Sequence, residues 1–193
     1  GQIVGFPQLF LIADTWGEVL ARLAVEPPYP KWYIERPTDQ ISEVNIFPKS
    51  EDVKTDKAQL NFKREKDGTW RVTDYLVGTE SHLVDNTKWQ KLLPTIKSPS
   101  GVDVAVHKVR DRDYSQWGIG DNSAAVEIRF QNTTEQGTTY TDGSLLLVGD
   151  LEPGGQAYYG KSAEEGVTQP VLLLPKLWVE TIFGLYENIP YAD

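Results

Sequence analysis

Residues Tyr114–Phe130 read YSQWGIGDNSAAVEIRF and bring together a Gly-x-Gly, the carboxylates Asp121 and Glu127, and an alternating run. Three kinds of chemistry use such parts: a phosphate cradle, a metal loop, or a turn leading into a sheet. A phosphate cradle follows a strand and opens a helix, so that amide N–H groups converge on the anion. Here the glycines precede a strand, because Ala124, Val126, Ile128 and Phe130 alternate with Ala125, Glu127 and Arg129. Asp111, Asp113 and Asp121 miss the spacing of a calcium loop, and no bidentate Glu follows at the right offset. The stretch therefore reads as a structural corner. Gly118 or Gly120 should take positive φ, and Tyr114 and Trp117 should be largely buried as its apolar plug.

Other chemistry is thinly represented. There is no cysteine, which removes disulfides, thiol nucleophiles and Cys-ligated metals. His82 and His107 are the only histidines, and neither has a companion at metal-ligand spacing. His107 should point outward, since alternation sets it opposite Val104 and Val106. No Gly-x-Ser-x-Gly elbow supports a Ser-His-Asp triad. Glu164 and Glu165 sit in a polar loop and read as solvated charge. Paired acids for glycoside hydrolysis meet only in the fold, so sequence leaves them open. No cofactor and no metal is expected, an oxygen-ligated surface calcium being the single ion that the residue types leave open.

The stronger candidates are aromatic. PPYPKWYIERP holds Tyr29, Trp32 and Tyr33 in a proline-stiffened segment that loses little entropy on binding. In AYYGK the adjacent Tyr158 and Tyr159 must send one ring to each face of a strand, which should leave one exposed. These five residues are the expected partner-binding set. The competing reading of the first three is that they pack on the sheet or cover its edge. The sequon Asn132-Thr133-Thr134 matters only in a eukaryotic secretory host.

The elements that position these residues are legible from periodicity. ADTWGEVLARLAVE places Trp16, Val19, Leu20 and Leu23 at helical spacing, with Asp14 or Thr15 as the cap. Four prolines, Pro27, Pro28, Pro30 and Pro37, then predict an extended connector. Strands are predicted in ISEVNIF, AQLNFKRE, TWRVTD, VDVAVHKV, SAAVEIRF, SLLLVGD, GQAYYGK and QPVLLL. Asp67-Gly68 and Asp142-Gly143 are both read as hairpin turns. Trp89, Leu92, Leu93 and Ile96 predict a helix that Pro94 distorts or ends. A last helix carries Trp178, Thr181, Ile182 and Leu185 on one face. The sum is an α+β fold: a mostly antiparallel sheet of about seven strands, with about three helices packed on it. One domain is expected over 1–193, with a helix and Pro-rich connector in 1–40.

With 193 residues the chain buries enough surface to need no staple. Its net charge of −9 disfavours nucleic acid and anionic lipid. No apolar run approaches the ~20 residues of a membrane span, so any anchor must precede Gly1.

LNFKREKDGTWRV, the paired leucines of KLLPTI, and above all RDYSQWGIGDNSAAVEIRF, SLLLVGD, GGQAYYGK and QPVLLLPKLWVETI resemble an uncharacterised bacterial family, domain of unknown function 4340. The resemblance covers residues 41–186 and rests on a Tyr-x-x-x-Gly corner and a strand ending in Val-Gly-Asp. It implies an extracytoplasmic protein, periplasmic or at the cell surface, usually membrane-tethered, and often encoded near ABC transport systems. The expected function is a non-catalytic accessory domain that binds one or more protein partners, for which the net charge of −9 suggests a basic patch. The alternatives are a structural subunit of a larger envelope complex, filament or particle, and a carbohydrate- or peptide-binding module or hydrolase with an aromatic-lined cleft.

Overall fold

The computed structural model describes residues 13–25, 37–107, 109, 113–134, 136–163 and 169–192. The chain divides into two compact units, Gly1–Pro30 and Lys31–Asp193, with the boundary inside the proline-rich connector. In the first unit, helix α1 spans Asp14–Val25, so Asp14 and Thr15 lie in its first turn. Trp16, Val19 and Leu20 share one side of it, as their spacing requires, and their side chains are exposed.

The second unit is built on β1 (Ile41–Phe47), β2 (Leu60–Arg64), β3 (Trp70–Asp74), β4 (Ser81–Leu83), β5 (Asp103–Val106), β6 (Ala124–Thr133), β7 (Thr139–Leu151), β8 (Ala157–Ser162) and β9 (Val171–Pro175). They form one sheet of 9 strands in the order β4-β3-β2-β1-β6-β7-β8-β9-β5. Every pairing between these strands is antiparallel. The count exceeds the expected seven. Eight of the nine fall on the stretches read as strands, and the one outside them is β4, whose 3 residues are too few to display an alternation.

Helices α2 (Asn86–Ile96) and α3 (Lys176–Phe183) complete the unit. The Asp85 carboxylate starts α2 by accepting from the amides of Thr87 and Lys88 at 2.8 and 3.1 Å. These bonds hold that carboxyl below its usual range. Pro94 does not stop the helix, which runs on to Ile96, and the amide of Lys97 still reaches Leu93 O at 2.9 Å.

Both helices contribute to a core on one face of the sheet. Val44, Ile46, Leu60, Phe62, Val72, Val126, Ile128, Leu146, Leu172 and Leu174 line that face, and Trp89, Leu93, Ile96, Trp178, Val179 and Ile182 close it. Trp89 stacks on Phe62 with ring centroids 4.4 Å apart. Trp178 Nε1 donates to Ile96 O at 3.2 Å, so the second helix is fastened to the end of the first.

One of the two Asp-Gly turns forms and the other does not. Gly68 takes φ 87° between β2 and β3, with Asp67 accepting from Thr69. Asp142-Gly143 instead lies inside β7, where Gly143 pairs with Arg129. The turn falls earlier, at Gly137 with φ 82°, where the amide of Gly137 bonds Thr134 O. The reason is length: β6 has 10 residues to pair, and a turn at Asp142 would orphan the outer half of its ladder.

Candidate functional site

Of the residues expected to bind a partner, Tyr29, Trp32 and Tyr33 lie outside the described residues. Tyr158 and Tyr159 do send their rings to opposite faces, but neither is exposed. Tyr158 packs against the helix-side core and Tyr159 against a second cluster that includes Val171, Ile119 and Tyr114. The expectation of one exposed ring fails because both faces of the sheet are covered at β8. His107 lies just past the end of β5 and is half-buried.

The cover on the second face is the Gly-x-Gly corner. Tyr114 is buried, and its hydroxyl both donates to Gln169 O at 2.8 Å and accepts from Gln169 N at 3.0 Å. Trp117 is only half-buried, beside Tyr114 with ring centroids 6.3 Å apart. Lys161 sets its ammonium 4.6 Å from the Tyr114 ring centre, and burial pulls its pKa below the usual lysine value. Gly118 takes φ 67°. Its amide donates to Ser115 O at 3.0 Å, and that of Gly120 donates to Ser123 Oγ at 3.4 Å. Both glycine N–H groups are thus spent inside the loop, and the Asp150 carboxylate packs against Gly118. A phosphate would meet a negative charge where a cradle offers donors. The corner is structural.

Further along the same face, the Arg129 guanidinium holds Glu127 at 2.9 Å and Glu43 at 3.3 Å. Asn45 donates to Glu127 at 2.9 Å, and Asn61 donates to Glu43 and Asn45 at 2.6 Å each. The hydrogen bond to Glu127 makes Arg129 keep its proton more tightly than usual. This network ties β2, β1 and β6 together on the face of the sheet opposite the helices, with Asn45 buried at its centre. A cleft of about 910 Å³ opens beside it, lined by Lys63, Arg64, Glu65, Asp67 and Thr141 among others. Its lining contains no aromatic ring, and its best-placed cation, Arg129, is already paired with three carboxylates, those of Glu127, Glu43 and Asp56. It does not match the aromatic cleft that sugar or peptide binding would use. Among the described residues, no group of three or more His, Asp or Glu is placed to hold a metal.

The surface that stands out is the turn joining β3 to β4. Tyr75, Leu76 and Val77 are 53%, 76% and 85% exposed, three large apolar side chains in a row. Asp74 builds the turn. Its carboxylate accepts from Leu76 N at 3.0 Å, and its carbonyl accepts from Val77 N at 3.1 Å and Gly78 N at 3.0 Å. Tyr75 N adds a bond to Gln59 O at 2.9 Å. The apolar ridge is therefore held in place and is not a frayed end. Sequence reading passed over it, although the signal was there: an apolar triplet between Asp74 and Gly78, two residues that favour turns.

The ridge divides two concavities. One, of about 490 Å³, is lined by Pro48, Asp52, Asp56, Lys57, Tyr75 and Leu76 among others. The other, of about 300 Å³, is lined by Asp74, Val77, Gly78, Glu80, His82 and Tyr191. Tyr191 meets His82 edge-on at 5.6 Å, and burial and then the Asp74 charge push its hydroxyl above the usual tyrosine pKa. Comparison with protein-family models, curated proteins and solved structures finds no match to this chain.

Proposed function

We propose that this chain is a non-catalytic domain that binds a protein partner through the Tyr75-Leu76-Val77 ridge. One observation carries the reading: three consecutive large apolar side chains are exposed on a turn whose amides are all bonded. Exposed contiguous apolar surface marks interaction sites. A turn that is already ordered adds little entropic cost on binding. The resemblance to domain of unknown function 4340 supplies the setting, an extracytoplasmic accessory to an ABC-type transport or envelope system. The docking surface differs from the one anticipated in the aromatic connector.

The test is site-specific photocrosslinking in cells of the source organism, with benzoylphenylalanine at position 76 and, as control, at position 66 on the distant β2–β3 turn. The reading expects a discrete adduct from position 76 that disappears when Val77→Ser is added. Identical adducts from both positions, or none from position 76, would refute it. Leu76→Ser/Val77→Ser should meanwhile melt within about 0.5 kcal/mol of the parent, as exposed substitutions do.

A further inference from the structure

The charges around the ridge say what kind of partner fits. The two concavities are lined by Asp52 and Asp56 on one side and by Asp74 and Glu80 on the other, against the ammonium of Lys57 and the Arg129 guanidinium 3.9 Å from Asp56, which leaves carboxylates in excess. An apolar ridge flanked on both sides by carboxylates is complementary to an apolar stripe flanked on both sides by cations. We infer that the partner presents a cationic amphipathic helix, which lies across the ridge with its apolar stripe on Leu76 and Val77. Its Lys or Arg side chains reach down on either side toward Asp52 and Asp56, and toward Asp74 and Glu80. This inference rests on the ridge being the docking surface.

Charge decides against the other occupants. An anionic lipid surface would face the same four carboxylates and be repelled. A second copy would set this acidic rim against its own equivalent. Its exposed helix α1 is no better suited, because Asp14 and Glu18 are part of that helix beside Trp16 and Val19.

Sheet-edge pairing is not the mode either. Arg71 caps the edge at Ser81, donating to its carbonyl at 2.8 Å and its hydroxyl at 2.9 Å. Ala192 N bonds Leu83 O at 2.9 Å, and Asp85 N bonds Pro190 O at 2.8 Å, so the chain's own residues take two more bonding groups at that edge. Side chains, not backbone, must make the contact.

The experiment titrates fluorescent synthetic peptides of about 18 residues, or about five helical turns. Three peptides share one Leu stripe and differ only in its flanks: Lys, Glu or Gln. The Lys peptide should bind. Its affinity should fall when salt rises from ~0.1 to ~1 M, which shortens the screening length from ~10 to ~3 Å. The carboxylate variant Asp52→Asn/Asp56→Asn/Asp74→Asn/Glu80→Gln should weaken binding about tenfold or more and flatten the salt dependence. Asn keeps the acceptor that Leu76 N needs, so the turn survives the change. Equal binding of the Glu peptide, or full affinity in the carboxylate variant, would overturn the cationic partner while leaving the ridge reading intact. An equal loss in the remote control Glu65→Gln/Asp67→Asn would reduce the binding to general charge attraction and overturn it too. If Leu76→Ser/Val77→Ser binds the Lys peptide as the parent does, the ridge itself is refuted.

Discussion

Gly149→Ala should be far more damaging than a change in the Gly-x-Gly that first draws the eye. The two halves of the sequence pattern, the Tyr-x-x-x-Gly corner and the Val-Gly-Asp strand end, meet in space. The register of β7 on β8 shifts between Val148 and Leu151, and the corner packs into that irregularity. A methyl group on Gly149 would collide with the carbonyl oxygen of Trp117 and would lie 2.7 Å from Ile119 Cγ1 and 3.1 Å from Gly118 C. Two of these three obstacles are backbone, so the corner must lift off the sheet. Overpacking costs ~1–3 kcal/mol where side chains can adjust, and a backbone obstacle places this case at ~3 kcal/mol or above. Gly118→Ala meets only the end of the Asp150 side chain, which can swing away. Its cost is the left-handed backbone at φ 67°, ~1–2 kcal/mol for a residue with a Cβ. The double variant should cost less than the sum by ~1 kcal/mol, because a corner already displaced no longer resists the second methyl. Urea unfolding followed by tryptophan fluorescence measures all three. A Gly149→Ala protein within ~0.5 kcal/mol of the parent, or one more stable than Gly118→Ala, would show that the corner does not bear on β7 as described. Added inorganic phosphate should leave every midpoint unmoved, whereas a true cradle would gain stability by mass action.

Three further outcomes follow from the same geometry. Trp89→Ala, at a fully buried ring stacked on Phe62, should lose ~3–5 kcal/mol of stability by urea titration, whereas Trp178→Phe should lose ~1 kcal/mol with its bond to Ile96 O. Tyr158→Ala and Tyr159→Ala should each lose ~2 kcal/mol, about half the figure for a full core aromatic, and a neutral result at either would return that ring to the list of binding candidates. Asp85→Ala should lower the melting temperature at neutral pH by more than Asp85→Asn, whose amide oxygen still caps α2 but without the charge. The folded carboxyl titrates below its unfolded value, so the Asp85 contribution is present above the unfolded pKa and is lost as pH falls through the folded one. Scanning the Asp85→Ala difference downward from neutral pH should therefore show it shrinking on the acid side.

Periodicity carried most of the fold because most strands have one face on the helices and alternate accordingly. Leu60 and Phe62, Trp70 and Val72, and Val126 and Ile128 all face the core as their spacing requires. Trp89, Leu93 and Ile96 do the same for α2. Legibility failed where a local signal competed with a long-range one. Asp142-Gly143 has turn chemistry, yet the ladder with β6 runs through it, and that partner cannot be seen from a local window. Tyr158-Tyr159 looked half-exposed because nothing nearby in sequence announces that the corner at Tyr114 covers the far face. The ridge was missed for the opposite reason. Its residues look like core, and only the three-residue strand after it, too short to read, turns them outward.

That strand also explains why an exposed apolar ridge is tolerable. An open sheet edge beside bare Leu and Val side chains would template aggregation. Here β4 is short, Arg71 takes its Ser81 carbonyl, and residues 190–192 take the Leu83 carbonyl and the Asp85 amide. At the opposite edge β5 has 4 residues and a register shift between Val104 and Val106, which breaks the regular ladder a neighbour would need. Both hydrogen-bonding edges are blunted. What remains accessible beside β4 is a side-chain ridge with a sign requirement. On the proposed reading, a surface closed to backbone pairing yet apolar at its centre would select partners by side-chain shape and charge. That is why the carboxylate variant, and not truncation of an edge strand, is the change that should separate binding from mere stickiness.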